Sequence, residues 1–192
     1  MDTKAYQNPL FYPPGGILLW IIIFLELITF GMGMLGLAYS GSFEREIFRE
    51  SSGQLSRVIG TINTLILLSS GYAMAAAVHA FQASNKGRAK RLLVWTASGG
   101  LLFVVVKSWE YYEKISLGIG LGENTFFTFY WLLTGFHLIH VFIGLIIIGV
   151  VLFKMRSATS SIDTEDLQAV GAFWHMCDLI WLLLFPALYL IW

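Results

Sequence analysis

Polar and apolar residues alternate along this chain in long blocks. Five stretches are almost wholly apolar: Ile17–Tyr39, Val58–Phe81, Leu92–Tyr112, Phe126–Phe153 and Ala169–Trp192. The polar residues gather in the short segments between them. An α-helix rises ~1.5 Å per residue, so ~20 apolar residues cross a hydrocarbon core of ~30 Å. Each block is long enough to do so. A membrane barrel would instead need short segments of alternating polarity, and the chain has none. The pattern therefore predicts an all-α integral membrane protein, a bundle of five transmembrane helices. Residues 1–16 are expected to form a cytoplasmic N-terminal segment, and residues 17–192 one membrane domain without repeats or a soluble insertion.

Composition narrows this further. Of 192 residues, 57% are apolar and only 12% charged, against ~25% charged in an ordinary soluble domain. The mean hydropathy is +0.71. Such a chain has too little polar surface to cover a soluble globule, and it is far too apolar for disorder. Twelve basic residues balance twelve acidic ones, so no net field attracts nucleic acid. The single cysteine, Cys177, excludes an internal disulfide framework and a CxxC metal knuckle. The segment before Ile17 lacks the basic stretch and small-residue cleavage site of a signal peptide, so the first span is expected to be retained.

Basic residues suggest an orientation. One face collects Lys4, Lys86, Arg88, Lys90, Arg91, Lys154 and Arg156. The other has Arg45, Arg49, Arg57, Lys107 and Lys114, three of them beside glutamates or at a helix end. The positive-inside rule then puts the N-terminus in the cytoplasm and the C-terminus outside. Trp20, Trp95, Trp109, Trp131 and Trp192 fall near span ends, where an interfacial aromatic belt belongs.

Ionisable side chains within the spans are the candidate chemistry, because each costs several kcal/mol in lipid unless it is paired. Glu26 stands near the middle of the first span. His79 is near the end of the second, while Lys107, Glu110 and Glu113 crowd the outer end of the third. His137 and His140 share a face of the fourth, and His175 and Asp178 a face of the fifth, each pair being three residues apart. One reading is a haem or di-metal redox site. The carboxylate-bridged di-metal pattern, however, wants Glu-x-x-His on two helices, and this chain has Glu-x-x-Glu and His-x-x-His. The other reading is a polar seam of hydrogen bonds between helices, which the spacing alone favours. Glu26 is open to a proton-related or a structural role. Arg88 and its neighbours are either a topology signal or also a site for anionic lipid headgroups.

Two further signals carry little. Gly31-Met32-Gly33-Met34-Leu35-Gly36 matches GxGxxG but follows no strand, so it implies no nucleotide site. Its glycines, like Gly71 and Ala75, suit close helix approach. No nucleophile stands in a triad order, so nothing points to an enzyme acting alone.

The polar residues nevertheless sit in a pattern that resembles a known family, subunit III of the haem-copper oxidases, in its short five-helix bacterial form. Thr134-Gly135-Phe136-His137-Leu138-Ile139-His140-Val141 with Gly144 resembles the family's TGFHxxHVxxG helix. Trp174-His175 with Asp178 and Trp181 is similar to its WHxxDxxW. Leu25-Glu26-Leu27 with Phe30 resembles the helix carrying the family's intramembrane glutamate. Asn63-Thr64 through Ser69-Ser70-Gly71 resembles NTxxLLxSG, and Glu110-Tyr111-Tyr112-Glu113 resembles EYxE. The five matches come in the family's order.

The resemblance implies an accessory, non-redox subunit, not catalytic alone. It would stabilise the catalytic subunit I, with subunit II beside it, in a proton-translocating oxidase of aerobic respiration. Haem and copper would belong to those partners and not to this chain. His137, His140, His175, Asp178, Glu110 and Glu113 would form a structural polar network. Glu26 would correspond to the family's carbodiimide-reactive carboxylate, and Arg88, Lys154 and Arg156 would be candidates for phospholipid headgroups. The expected location is a bacterial inner membrane. A five-helix accessory protein of nitric oxide reductases is also similar in length and in its Phe185-Pro186 helix end, and it stands as the alternative partner complex.

Overall fold

The computed structural model describes residues 15–156 and 162–192. The expected N-terminal segment, with Lys4, therefore lies almost wholly outside the described residues. Six helices follow in order: α1 (Gly16–Phe43), α2 (Arg45–Gly53), α3 (Arg57–Gln82), α4 (Lys86–Ser116), α5 (Thr125–Lys154) and α6 (Thr164–Tyr189). Among the described residues there is no strand. All the helices except α2 are long and apolar enough to cross a membrane, as the hydropathy pattern predicts.

The helix ends differ from the apolar blocks where capping overrides hydropathy. α4 begins six residues before Leu92 because Asn85 caps it, its side chain accepting a hydrogen bond from the Arg88 amide at 3.0 Å. Its first turns are therefore basic and lie beyond the apolar block. A turn with Ser84 at φ 61° reverses the chain from α3 into this cap. α6 begins five residues before Ala169 and ends one turn after Pro186, whose ring removes a backbone donor. α2 is a short amphipathic helix that hydropathy does not reveal. It lies at the end where α1 and α4 finish, and it buries Phe48, Ser51 and Ser52. Phe48 packs edge-on against Phe126 and Trp192.

The core lies among α3, α4, α5 and α6. α6 contributes Leu167, Gly171, Trp174, Cys177, Trp181, Leu184 and Leu188, a spacing of three to four residues that turns one stripe inward. The indole of Trp174 is fully buried between Gly100 of α4 and Gly144 of α5, where a Cβ on either glycine would run into its ring. Both glycines thus make room for the largest side chain in the bundle. α1 is the outlier. It touches α5, α6 and α2, and it buries only Ile23, Phe30, Leu37 and Gly41 along one seam. Of the GxGxxG glycines, Gly33 and Gly36 face Leu133 and Phe129 of α5, while Gly31 faces open space. The motif serves helix packing.

Candidate functional site

The intramembrane polar residues do not form one seam. They resolve into three clusters with different degrees of closure.

The first is at the end of the bundle where α4 finishes. Lys107 and Glu110 of α4 form an ion pair at 3.2 Å, with both side chains 1% exposed. The ammonium also donates to the hydroxyls of Tyr130 on α5 at 3.1 Å and Tyr189 on α6 at 2.7 Å. Those two hydroxyls donate onward to the same carboxylate oxygen of Glu110, at 2.9 and 2.6 Å. All three ammonium protons thus have acceptors, and the carboxylate has three donors. The rings of Tyr111, Tyr130, Trp181 and Tyr189 stand 4.6–5.4 Å from the ammonium, adding cation–π attraction in dry surroundings. Beside this cluster the Tyr111 hydroxyl donates to Thr134 at 2.7 Å, and the Trp181 indole to Thr64 at 3.0 Å. Lys114, also buried, donates to the Gln54 carbonyl at the end of α2. Glu113 is exposed and stands outside the cluster, so the expected Glu110–Glu113 pairing within one network does not occur. One turn of helix separates the two, but three residues carry Glu113 off the inward stripe.

The second cluster joins α1 to α5. Glu26 Oε2 lies 3.3 Å from His140 Nε2. The other ring nitrogen of His140 is 2.8 Å from the Phe136 carbonyl. A carbonyl only accepts, so Nδ1 carries a hydrogen. Nε2 faces the carboxyl, but Oε2 is buried and makes no hydrogen bond among the described residues. Phe30 and Phe136 flank the imidazole, with centroids at 5.8 and 4.6 Å. Glu26 keeps 23% of its side chain exposed, so this contact sits at the margin of the bundle.

The third cluster is on α6 against α3. His175 Nδ1 lies 3.2 Å from Asp178 Oδ2. The carboxylate is tucked against Gly71 of α3, where a Cβ would collide with Oδ2.

His137 belongs to none of these. It stacks on Trp181 at 5.3 Å and meets Phe103 edge-on at 5.7 Å, and both its ring nitrogens are buried without a hydrogen-bond partner among the described residues. It is therefore a core ring and not a member of the expected hydrogen-bonded network. His137 and His140 share Phe30 of α1 as a neighbour, but His137 stacks on α6 while His140 turns to Glu26 of α1. Among the described residues no three His, Cys, Asp or Glu side chains gather at one point. Arg88 and Lys154 are exposed at the same end of the bundle, where α4 begins and α5 ends, and Arg156 follows just beyond. In the sequence Lys107 stands with Glu110 and Glu113 at the outer end of the third span, without a partner on another helix. The signal available for its role was the three-residue step to Glu110; its tyrosine partners lie on other helices.

Comparison with known proteins decides the family. The profile of the family Cytochrome c oxidase subunit III matches residues 57–192. The chain belongs to the cytochrome c oxidase subunit III family. It is 32% identical to Cytochrome c oxidase subunit 3 of Thermostichus vulcanus over 190 residues, covering 97% of this chain and 90% of that protein. It is 31% identical over 147 residues to Cytochrome c oxidase subunit 3 of Synechocystis, covering 74% of this chain but 60% of the relative. It is also 29% identical over 175 residues to Cytochrome bo(3) ubiquinol oxidase subunit 3 of Buchnera aphidicola, covering 90% of this chain and 84% of that protein. These relatives are named as oxidase subunits, which favours the oxidase reading over the nitric oxide reductase accessory.

Proposed function

We propose that this chain is the non-redox accessory subunit of a bacterial haem-copper terminal oxidase, packed beside the catalytic subunit I with subunit II in the same complex. The family match over residues 57–192 carries this reading. The geometry fits it, because the Lys107–Glu110 pair binds the Tyr130 and Tyr189 hydroxyls and so ties α4 to α5 and α6. Electron transfer and oxygen reduction would take place on haem and copper in the partners. This chain would contribute apolar helix faces, and obligate interfaces of that kind bury ~2,000 Å² or more. The sparsely buried α1, with Leu18, Leu25, Met32 and Leu35 all more than half exposed, offers such a face to lipid or protein. Arg88, Lys154 and Arg156 form a basic rim suited to anionic phospholipid headgroups. With Lys107 and Lys114 held inside the bundle, the opposite rim keeps Arg45 and Arg49, which stand among Glu44, Glu46 and Glu50, and Arg57 at the start of α3. That asymmetry supports a cytoplasmic N-terminus in the inner membrane.

The test is to purify the oxidase with and without this chain and follow turnover over time. The reading expects similar initial rates and a shorter catalytic lifetime without the chain. An unchanged lifetime contradicts it.

A further inference from the structure

The His175–Asp178 pair lies midway along α6 and lines a groove of about 290 Å³ between α3 and α6, with Leu68, Gly71, Ala75 and Leu182 among its other walls. Asp178 is 7% exposed, and its Oδ1 is buried without a hydrogen-bond partner among the described residues. His175 is different, with 46% of its side chain open to the groove. Nδ1 faces Oδ2 of Asp178, which leaves Nε2 of the same ring pointing outward. An orphaned acceptor next to a half-exposed imidazole is costly in hydrocarbon.

Depth limits what could satisfy it. A lipid headgroup stays at the interface, roughly 15 Å from the middle of a ~30 Å core, and acyl chains have no donor. A second copy related by a two-fold axis would bring the same acceptors against each other. Gly71 and Ala75 keep part of the α3 wall low beside the exposed Tyr72, which lets another helix approach closely there, as helices do when they associate in membranes.

We infer that the α3/α6 groove is a docking site for a transmembrane helix of another oxidase subunit, which places a hydroxyl or amide donor on Asp178 and His175. The inference rests on the accessory-subunit reading above and deepens it by naming the contact. Gly71 has two roles here: it admits the Asp178 carboxylate and keeps the groove shallow.

The experiment uses the intact complex. A photo-crosslinking residue is placed at Leu182, on the groove wall, and separately at Leu25, on the far face of α1. After irradiation the adducts are mapped by mass spectrometry. The expected result is a Leu182 adduct to a transmembrane segment of another subunit bearing a Ser, Thr, Asn or Gln at mid-depth. Alongside it, Asp178→Leu should lower retention of this chain in the complex about tenfold under detergent challenge, with Asp178→Asn retaining most of it. Adducts only to lipid, or only to a second copy of this chain, overturn the inference, as does unchanged retention in Asp178→Leu. If Asp178→Leu does not fold, the Leu182 adducts alone decide. A chain that purifies without any oxidase subunit overturns the accessory-subunit reading itself. A chain that co-purifies but crosslinks elsewhere overturns only the groove assignment.

Discussion

The Lys107–Glu110 cluster and the Glu26–His140 pair are both ionisable groups inside membrane spans, yet they are built oppositely. The first is sealed: four residues from three helices satisfy one another's donors and acceptors, and all four are buried. The second is a two-residue contact at the rim, with 23% of the Glu26 side chain exposed and its Oε2 unmet among the described residues. A sealed and fully satisfied network fixes helices and resists change, whereas an open contact leaves its groups free to take other partners. Position along the helices alone would not have separated them; the count of satisfied donors and acceptors does. His175–Asp178 falls between, half closed and with one acceptor unmet.

The sharpest way to break the comparison is to unpair the sealed cluster. Lys107→Met strands the Glu110 carboxylate among two tyrosines and should destabilise the bundle by about 3–5 kcal/mol. The Lys107→Met/Glu110→Leu double variant should lose far less than the sum of the two singles. Denaturation of the purified protein in detergent reads both. A loss in the double variant equal to the sum of the two single losses would mean that the pair is not the unit.

A smaller effect is expected at the boundary between closed and open clusters. Gly71→Ala introduces a Cβ that meets Asp178 Oδ2, so either the carboxylate or α3 must shift. The expected cost is about 1–3 kcal/mol, as for overpacking, and Gly71→Ala/Asp178→Ala should recover part of it. Thermal unfolding of the four proteins in the cycle measures the coupling. Trp181→Phe keeps the ring against His137 but removes the donor to Thr64. It should cost about 1 kcal/mol, read by the same unfolding assay.

The smallest expected effect on stability, under about 1 kcal/mol, is at the open pair. Glu26→Gln keeps the shape and a donor for Nε2. What it should abolish is labelling by an apolar carbodiimide, which reacts with a carboxyl group that carries its proton. Persistent labelling of the variant would place the reactive carboxyl elsewhere.

How much of this was legible in the sequence depends on distance along the chain. The spans were readable because hydropathy is summed over consecutive residues, and capping shifted only their ends. α2 escaped because one buried phenylalanine in nine mostly polar residues gives no apolar run. His175–Asp178 and Lys107–Glu110 were visible as three-residue steps. Glu26–His140 was not, since its members sit on helices that only the packing of α1 on α5 brings together. The expected polar network of His137, His140, His175, Asp178, Glu110 and Glu113 likewise overlooked direction. His137 and His140 both border Phe30, yet only His140 reaches Glu26, while His137 stacks on Trp181.

The most direct test of the account is affinity purification of the tagged chain in a mild detergent, with the co-eluting proteins identified and the visible spectrum recorded. The account predicts a stoichiometric complex with a large multi-span haem-bearing subunit, whose haem signal stays behind when this chain is stripped away. A chain that elutes alone, or that keeps a haem spectrum of its own after stripping, would contradict it.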